Sequence, residues 1–364
     1  MKRKRIKIGA EKKEMPTSDL LSVLELVDPA VATKSLADFS QEYIFLDDTI
    51  SAWNGSLLIT APFKSGITGF TRAFELFNLV KKMETSPIHM KLNKGKGLLV
   101  VKTGDKEKKQ ASLNFTPGLT TVHDTVMGFG YDKMKWKKLP ENVRDGIVLC
   151  SFAASKDLLR TDLTGVYISK GVVASSDNYR VSLFQHDAKI STIRIPAPAG
   201  ILLKNYPIIK YNIGTRWVHF STDDGVVVSS SIIPNDGEHA FPIKIVEKML
   251  LKQKGFNYEL PVTKLNKAFD RAAVLLADEY ILDRAVTMDI HKSITVKSTK
   301  TGFGTYEEKI KTKWSLDDPV TIRINPEFLR EAMSHGTSFK IDKKKFRLII
   351  EAGDFRHLIN LHGE

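Results

Sequence analysis

Hydrophobic positions in this chain change period again and again, and the order of the changes recurs. From Val320 the stretch V-T-I-R-I alternates apolar and polar residues, the period of a strand. Asn325 then supplies a helix cap, Pro326 suits the first helical position, and Gly336 provides the stop. S-F-K-I-D, F-R-L-I-I-E and H-L-I-N-L follow as three strands. The middle of the chain repeats this order. S-T-I-R-I-P-A-P-A-G-I-L-L-K-N-Y (Ser191–Tyr206) reads as strand then helix, and I-I-K-Y-N-I, R-W-V-H-F-S and G-V-V-V-S-S-S-I-I read as strands. Near the start, S-L-L-I-T-A-P-F leads to the amphipathic R-A-F-E-L-F-N-L-V-K-K-M, then to I-H-M-K-L, G-L-L-V-V-K-T and A-S-L-N-F.

Each copy has an earlier helix as well: S-D-L-L-S-V-L-E-L-V from Ser18, E-N-V-R-D-G-I-V-L-C-S-F-A-A-S from Glu141, and T-K-L-N-K-A-F-D-R-A-A-V-L-L-A from Thr263. Each precedes strands, namely Y-I-F-L-D-D-T-I-S-A-W, G-V-Y-I-S-K-G-V-V-A and A-V-T-M-D-I-H-K-S-I-T-V-K. The copies start roughly 120 residues apart, an ordinary domain size. The expectation is an α+β chain of three repeated domains, each with two helices packed on antiparallel sheets. The boundaries are a basic arm at 1–17, then domains at 18–125, 126–252 and 253–364. Short linkers are expected at about Thr116–Pro140 and Lys252–Pro261. The first holds K-M-K-W-K-K, which reads either as a solvated linker or as a phosphate contact.

Charge narrows the partner. The 364 residues carry 55 Lys and Arg against 42 Asp and Glu, a formal net charge of +13, which favours a polyanion, most simply nucleic acid. The single cysteine, Cys150, lies in an apolar run, so no disulfide forms within the chain and a reducing cytoplasmic setting is expected. The start is basic but lacks the apolar run of a signal peptide. No window approaches the roughly 18 apolar residues of a membrane span, so no membrane role is expected. The cations Arg72, Lys81, Lys82, Arg144, Lys156, Arg160, Lys204, Lys264, Lys267, Arg271 and Arg330 lie on or just beside the predicted helices. A helix with one stripe against a sheet exposes its other face, and these faces gathered on one surface would contact phosphates without reading sequence.

Catalytic chemistry finds little support. The pairs Asp47–Asp48, Asp223–Asp224 and Asp317–Asp318 could hold Mg²⁺ for a metal-dependent phosphodiesterase acting on DNA. Their contexts D-D-T, D-D-G and D-D-P are those of turns between strands. The nine histidines lack zinc-ligand spacing, and phosphate-loop, nucleophile-elbow and dinucleotide fingerprints are missing. The expectation is a binding protein without catalytic residues, metal or cofactor.

Three stretches add a resemblance. S-D-N-Y-R-V (Ser176–Val181) resembles the T-D-G-H-R-L of the bacterial-type β sliding clamps, the processivity subunits of DNA polymerase III. A-F-D-R-A-A-V-L-L-A-D-E (Ala268–Glu279) is similar to that family's A-F-x-R-A-A-I-L, and I-I-P-N-D-G-E-H-A-F-P (Ile232–Pro242) to its V-D-G-x-F-P. The resemblance implies a head-to-tail homodimeric ring of clamp-type domains around duplex DNA, tethering a polymerase without catalysing a reaction. It also implies a pocket for polymerase and clamp-loader peptides, carried here by Ser176, Asn178, Tyr179, Arg180, Val181, Pro242, Val246, Leu358, Ile359, Asn360 and Leu361. The dimer contact it implies sets Ala111, Leu113 and Phe115 against Val274 and Leu275. Asn178 stands where that family has Gly, and it is the best substitute if the turn needs a positive φ. Tyr179 replaces His, the tail L-I-N-L-H-G-E lacks a Met-Pro-Met-like ending, and the family is commonly acidic. Such divergence would suit a phage-encoded member.

Overall fold

The computed structural model describes residues 14–15, 17–34, 39–83, 88–93, 95–103, 109–118, 121–157, 159–251, 258–276, 284–298, 304–316, 318–342 and 345–361. Most of the predicted basic arm, Asp317 and residues 252–257 of the second predicted linker lie outside them.

In chain order the elements begin with β1 (Glu14–Met15), α1 (Thr17–Val27), β2 (Glu42–Leu46), β3 (Thr49–Trp53), β4 (Leu57–Pro62) and β5 (Thr68–Arg72). Then come α2 (Ala73–Lys82), β6 (Ile88–Asn93), β7 (Leu98–Thr103), β8 (Lys109–Asn114), β9 (Thr116–Pro117), α3 (Thr121–Phe129) and β10 (Lys137–Lys138). The middle holds α4 (Glu141–Ser151), β11 (Val166–Ser169), β12 (Val172–Ser176), β13 (Arg180–Gln185), β14 (Ile193–Ile195) and α5 (Ala197–Leu202). It continues with β15 (Lys210–Ile213), β16 (Trp217–Ser221), β17 (Val227–Ser231) and α6 (Ile243–Leu250). The last stretch holds β18 (Tyr258–Glu259), α7 (Val262–Leu275), β19 (Val286–Ile290), β20 (Ser293–Ser298), β21 (Glu307–Lys311) and β22 (Val320–Ile324). It closes with α8 (Pro326–Met333), β23 (Ser338–Asp342), β24 (Arg347–Ala352) and β25 (Phe355–Asn360).

The chain divides into two compact units. The first runs to Leu139 and resumes over Tyr206–Ser231; the second takes Pro140–Asn205 and the chain from Ile232. The first holds a four-stranded sheet, β1-β6-β7-β8, and a nine-stranded sheet, β10-β15-β16-β17-β4-β3-β2-β5-β9. The second holds an eight-stranded sheet, β14-β11-β12-β13-β25-β24-β23-β18, and a four-stranded sheet, β21-β20-β19-β22. The strand pairs in the two larger sheets are antiparallel.

Alternation along the strands assigns the faces, because residues paired directly across an antiparallel ladder share a side. In the first unit Ile44 and Leu58 pack with Val122 and Val126 of α3. Tyr43, one residue from Ile44 and so on the opposite face, donates its hydroxyl to Asp28 at the end of α1 (2.6 Å). Thus α1 and α3 cover opposite faces. In the second unit Val181, paired with Leu358, packs under α6 with Val246. Their neighbour Ile359 packs with Leu265 and Phe269 of α7 and Leu329 of α8. The α4 helix lies on this second face, where Gly146 lets it sit against Phe184; an added Cβ would stand 2.5 Å from that ring.

The helices and strands of the repeat form close to their predicted positions. Asn325 caps α8 through the N–H groups of Glu327 (2.9 Å) and Phe328. The Thr116–Pro140 linker needs correcting: it contains α3 with buried Val122 and Val126, so it is built into the first unit.

Candidate functional site

The stretch Ser176–Val181 is a turn joining β12 to β13. Asp177 organises it, with Oδ1 accepting the N–H of Tyr179 (3.1 Å) and of Arg180 (3.0 Å). Asn178 sits at φ 77°, the left-handed conformation anticipated from its Gly-like position. Asn360 clamps the turn from β25, its N–H donating to Tyr179 O (2.8 Å) and its Nδ2 to Asn178 O (2.9 Å).

Not every expected pocket residue shares one face. Val181, Leu358 and Val246 do, in an apolar cluster with Leu163, Tyr167, Leu183, Phe241 and Leu250. Half-buried Ile243 and Met249 pack at its margin, and half-buried Pro242 leads directly into α6. Ser176 pairs with Val181, and its hydroxyl donates to Arg180 O (3.0 Å). Ile359 and Leu361 are corrected: both pack against the core shared with α7 and α8, on the other side of the sheet. Strand alternation requires this, because Leu358 already points toward α6.

Arg180 is also corrected. Rather than framing the rim it is 5% exposed. Its guanidinium pairs with Asp177 Oδ2 (2.8 Å) and with Glu331 of α8, donates to Phe152 O (3.0 Å), and lies 4.4 Å from the Phe328 ring centroid. A guanidinium has five donors, and carboxylates, a carbonyl and a ring replace its water here. Tyr179 remains at the surface, 42% exposed, its ring 6.1 Å from Phe328.

A second buried arginine gave no signal in the sequence. Arg194 on β14 is fully buried and donates to four carbonyls, those of Thr161, Asp162, Pro234 and His239 (2.7–2.9 Å). It thereby holds the chain leading into Phe241 and α6. Burial holds the His357 imidazole, which bonds Ser182 Oγ (2.8 Å), well below its ordinary range.

The candidate DNA-facing cations divide by residue type. Arg72 pairs with Glu75, Arg144 with Glu141 and Asp145, Arg160 with Asp162, Arg271 with Glu308, and Arg330 with Asp270 and Glu327. Lys81, Lys82, Lys156, Lys204, Lys264 and Lys267 are exposed. Among the described residues these six lysines form no ion pair, so the unpaired positive charge on the predicted helix faces is carried by lysines.

Of the expected dimer residues, Val274 is 73% exposed on α7, Leu275 half-buried, and Ala111 and Leu113 half-buried on β8, an edge strand. Phe115 is corrected to a core position, 2% exposed with its ring 6.0 Å from Phe45. Phe74, 76% exposed on α2, went unnoticed, although it falls off the helix's buried stripe of Ala73, Leu76 and Val80.

The two aspartate pairs within the described residues take turn positions. Asp47 has φ 46° between β2 and β3, and Asp223–Asp224 lies between β16 and β17. Among the described residues, no three His, Cys, Asp or Glu side chains come together as a metal site.

By sequence, no protein-family model and no curated protein matches. By structure, the chain is similar to the DNA polymerase III beta chain of Streptococcus pneumoniae, with TM-score 0.75, 14% identity, and 96% of this chain and 99% of that one covered. The DNA polymerase sliding clamp of Bacillus subtilis gives TM-score 0.75, 15% identity and coverage of 96% and 98%. The DNA polymerase III beta subunit of Thermotoga maritima gives 0.73, 14%, and 97% and 99%. Over nearly its whole length, this chain has the fold of the DNA polymerase III beta sliding clamps.

Proposed function

We propose that the chain is a DNA sliding clamp, a non-catalytic ring of two copies, each with three clamp-type domains bounded near residues 125 and 252. The fold likeness over 96% of the chain carries this reading. Duplex DNA threads the ring against the helix faces. Exposed lysines such as Lys264 and Lys267 form exchangeable contacts there, and such contacts let the ring slide.

Two sheet edges suit ring closure. β8 ends one sheet of the first unit, and β21 ends the four-stranded sheet of the second. Pairing β8 of one copy with β21 of the next would cover both edges, bring Leu113 and Phe74 toward Val274, and close by rotation. The apolar cluster beneath α6, edged by Ile243 and Met249, is the docking place for apolar anchors of a polymerase or loader peptide, with exposed Tyr179 in the turn before Val181 as a further contact.

Native mass and a nuclease assay test the reading. The expected mass is twice 40.8 kDa, with Leu113→Asp or Val274→Asp shifting it toward the monomer. DNA cleavage in Mg²⁺ or Mn²⁺ that Asp223→Asn abolishes would replace the clamp with the phosphodiesterase.

A further inference from the structure

The stretch Tyr131–Lys138, Y-D-K-M-K-W-K-K, forms the outermost strand of the nine-stranded sheet and the approach to it. It carries Lys133, Lys135, Lys137 and Lys138, all exposed, with Asp132 the one acid within it. Lys210 starts the paired strand β15, and exposed Arg216 precedes β16. Among the described residues none of these six cations forms an ion pair. Asp223 and Asp224, in the turn after β16, are the acids closest to Lys210 along the ladder, since Lys210 pairs with Ser221.

The register makes the arrangement costly for the protein alone. Lys138 stands directly opposite Lys210, and like charges apposed across a strand pair are destabilising. Lys210 relieves part of this by lying over the Trp136 ring, 5.5 Å from its centroid. That ring is fixed by its indole N–H donating to Tyr131 O (3.1 Å). Half-buried Phe129, Tyr131 and Trp217 continue the aromatic surface, with Phe129 5.6 Å from both Tyr131 and Trp217.

Alternation places this surface. His219, opposite Asn212 and Ser229, contacts Phe129 and Tyr131, and Tyr131 bonds Ser229 Oγ (3.0 Å). Ser229 pairs with Leu58, which packs under α3. Lys210 and Lys138 have the same parity as Asn212 and so lie on the α3 face, opposite α1, whereas Lys137, paired with Tyr211, points to the other side and is not part of this surface.

We propose that this basic, aromatic surface is a second nucleic-acid site, one that takes an unpaired strand. Its lysines meet the phosphates without fork geometry, and half-exposed rings offer faces and edges to unstacked bases. It lies across the sheet from α1, which packs against α2 with its Lys81 and Lys82, so under the clamp reading it holds a strand outside the ring. Its role in replication rests on the clamp reading; its binding does not.

The test measures anisotropy of fluorescent oligothymidylate with the full chain, across about 50–200 mM salt. Lys135→Glu with Lys138→Glu should weaken binding at least about 10-fold and lower the salt slope by roughly 0.7 per lysine. Lys138→Gln with Lys210→Gln should weaken it while leaving the melting temperature unchanged or higher, which separates binding from folding. Retention on circular duplex should be unaffected by either pair. Wild-type affinity in both variants overturns the proposal, as does displacement of the oligonucleotide by Lys264→Ala with Lys267→Ala alone. Tighter binding of polyglutamate than of oligothymidylate at equal salt would assign the surface to an acidic peptide instead. Oligothymidylate binding without retention on circles would leave this site standing while the clamp reading fell.

Discussion

Replacing Arg180 with methionine separates a peptide rim from a structural brace. The guanidinium is 5% exposed and satisfies Asp177, Glu331 and the Phe152 carbonyl while lying over Phe328. Removing one member of a buried ion pair costs about 3–5 kcal/mol, largely because the other charge stays behind unpaired. Glu331 is 50% exposed and rehydrates, and Asp177 keeps two backbone N–H donors, which places the cost near the lower end, about 3 kcal/mol. At about 2–4 °C per kcal/mol for a domain of this size, the unfolding transition of the second unit should fall by about 6–12 °C. Circular dichroism during heating and in urea measures it. Asp177→Asn placed in the Arg180→Met background should recover part of the loss, because it removes the orphaned carboxylate. Tyr179→Ala, at an exposed position, should cost under about 1 kcal/mol and instead weaken binding of an apolar peptide. An Arg180→Met protein as stable as the wild type, with peptide affinity lost, would refute the reasoning and return Arg180 to the rim.

Three further outcomes follow from particular groups. Asn178→Ala should cost up to about 1 kcal/mol in urea unfolding while Asn178→Gly is tolerated, since at φ 77° alanine meets the Cβ penalty without asparagine's tolerance of the left-handed region and glycine has no Cβ. His219, buried against Ser229, has its pKa lowered to about 4 by burial. Its neutral form contributes fully above the unfolded value near 6.5, and that contribution of roughly 3 kcal/mol disappears as pH falls toward 4. His219→Gln should flatten stability over that interval. Burial pushes the Cys150 thiol up and seats it against Val173 O (3.5 Å), so a disulfide reagent should label it only at the rate of unfolding.

Much of the fold was legible because its signals are local. V-T-I-R-I-N-P-E-F carries strand period, cap and helix start in nine residues, and each took its expected place. The positive φ at Asn178 was equally readable, as one residue type tolerates that backbone better than its neighbours. Helix α3 was missed because its stripe of Val122, Val126 and Phe129 is diluted by Thr, His, Asp and Gly over nine residues. Its helicity is stabilised by packing on Ile44 and Leu58, distant in sequence. Arginine normally reads as surface; Asp177 lies three residues before Arg180, but Glu331, the Phe152 carbonyl and the four carbonyls around Arg194 come from distant parts of the chain. The split of Leu358 from Ile359 followed from period two alone, once the strand's pairing was known.

Topology-dependent retention on DNA tests the central claim most directly. The protein is incubated with nicked circular plasmid, passed over a sizing column, and the DNA is then cut once. A ring stays with the circle through the column and leaves by sliding off the ends after the cut, whereas Val274→Asp is not retained. Protein that stays on the linear DNA as well as on the circle, at the same salt, would show adhesion by charge and contradict the clamp.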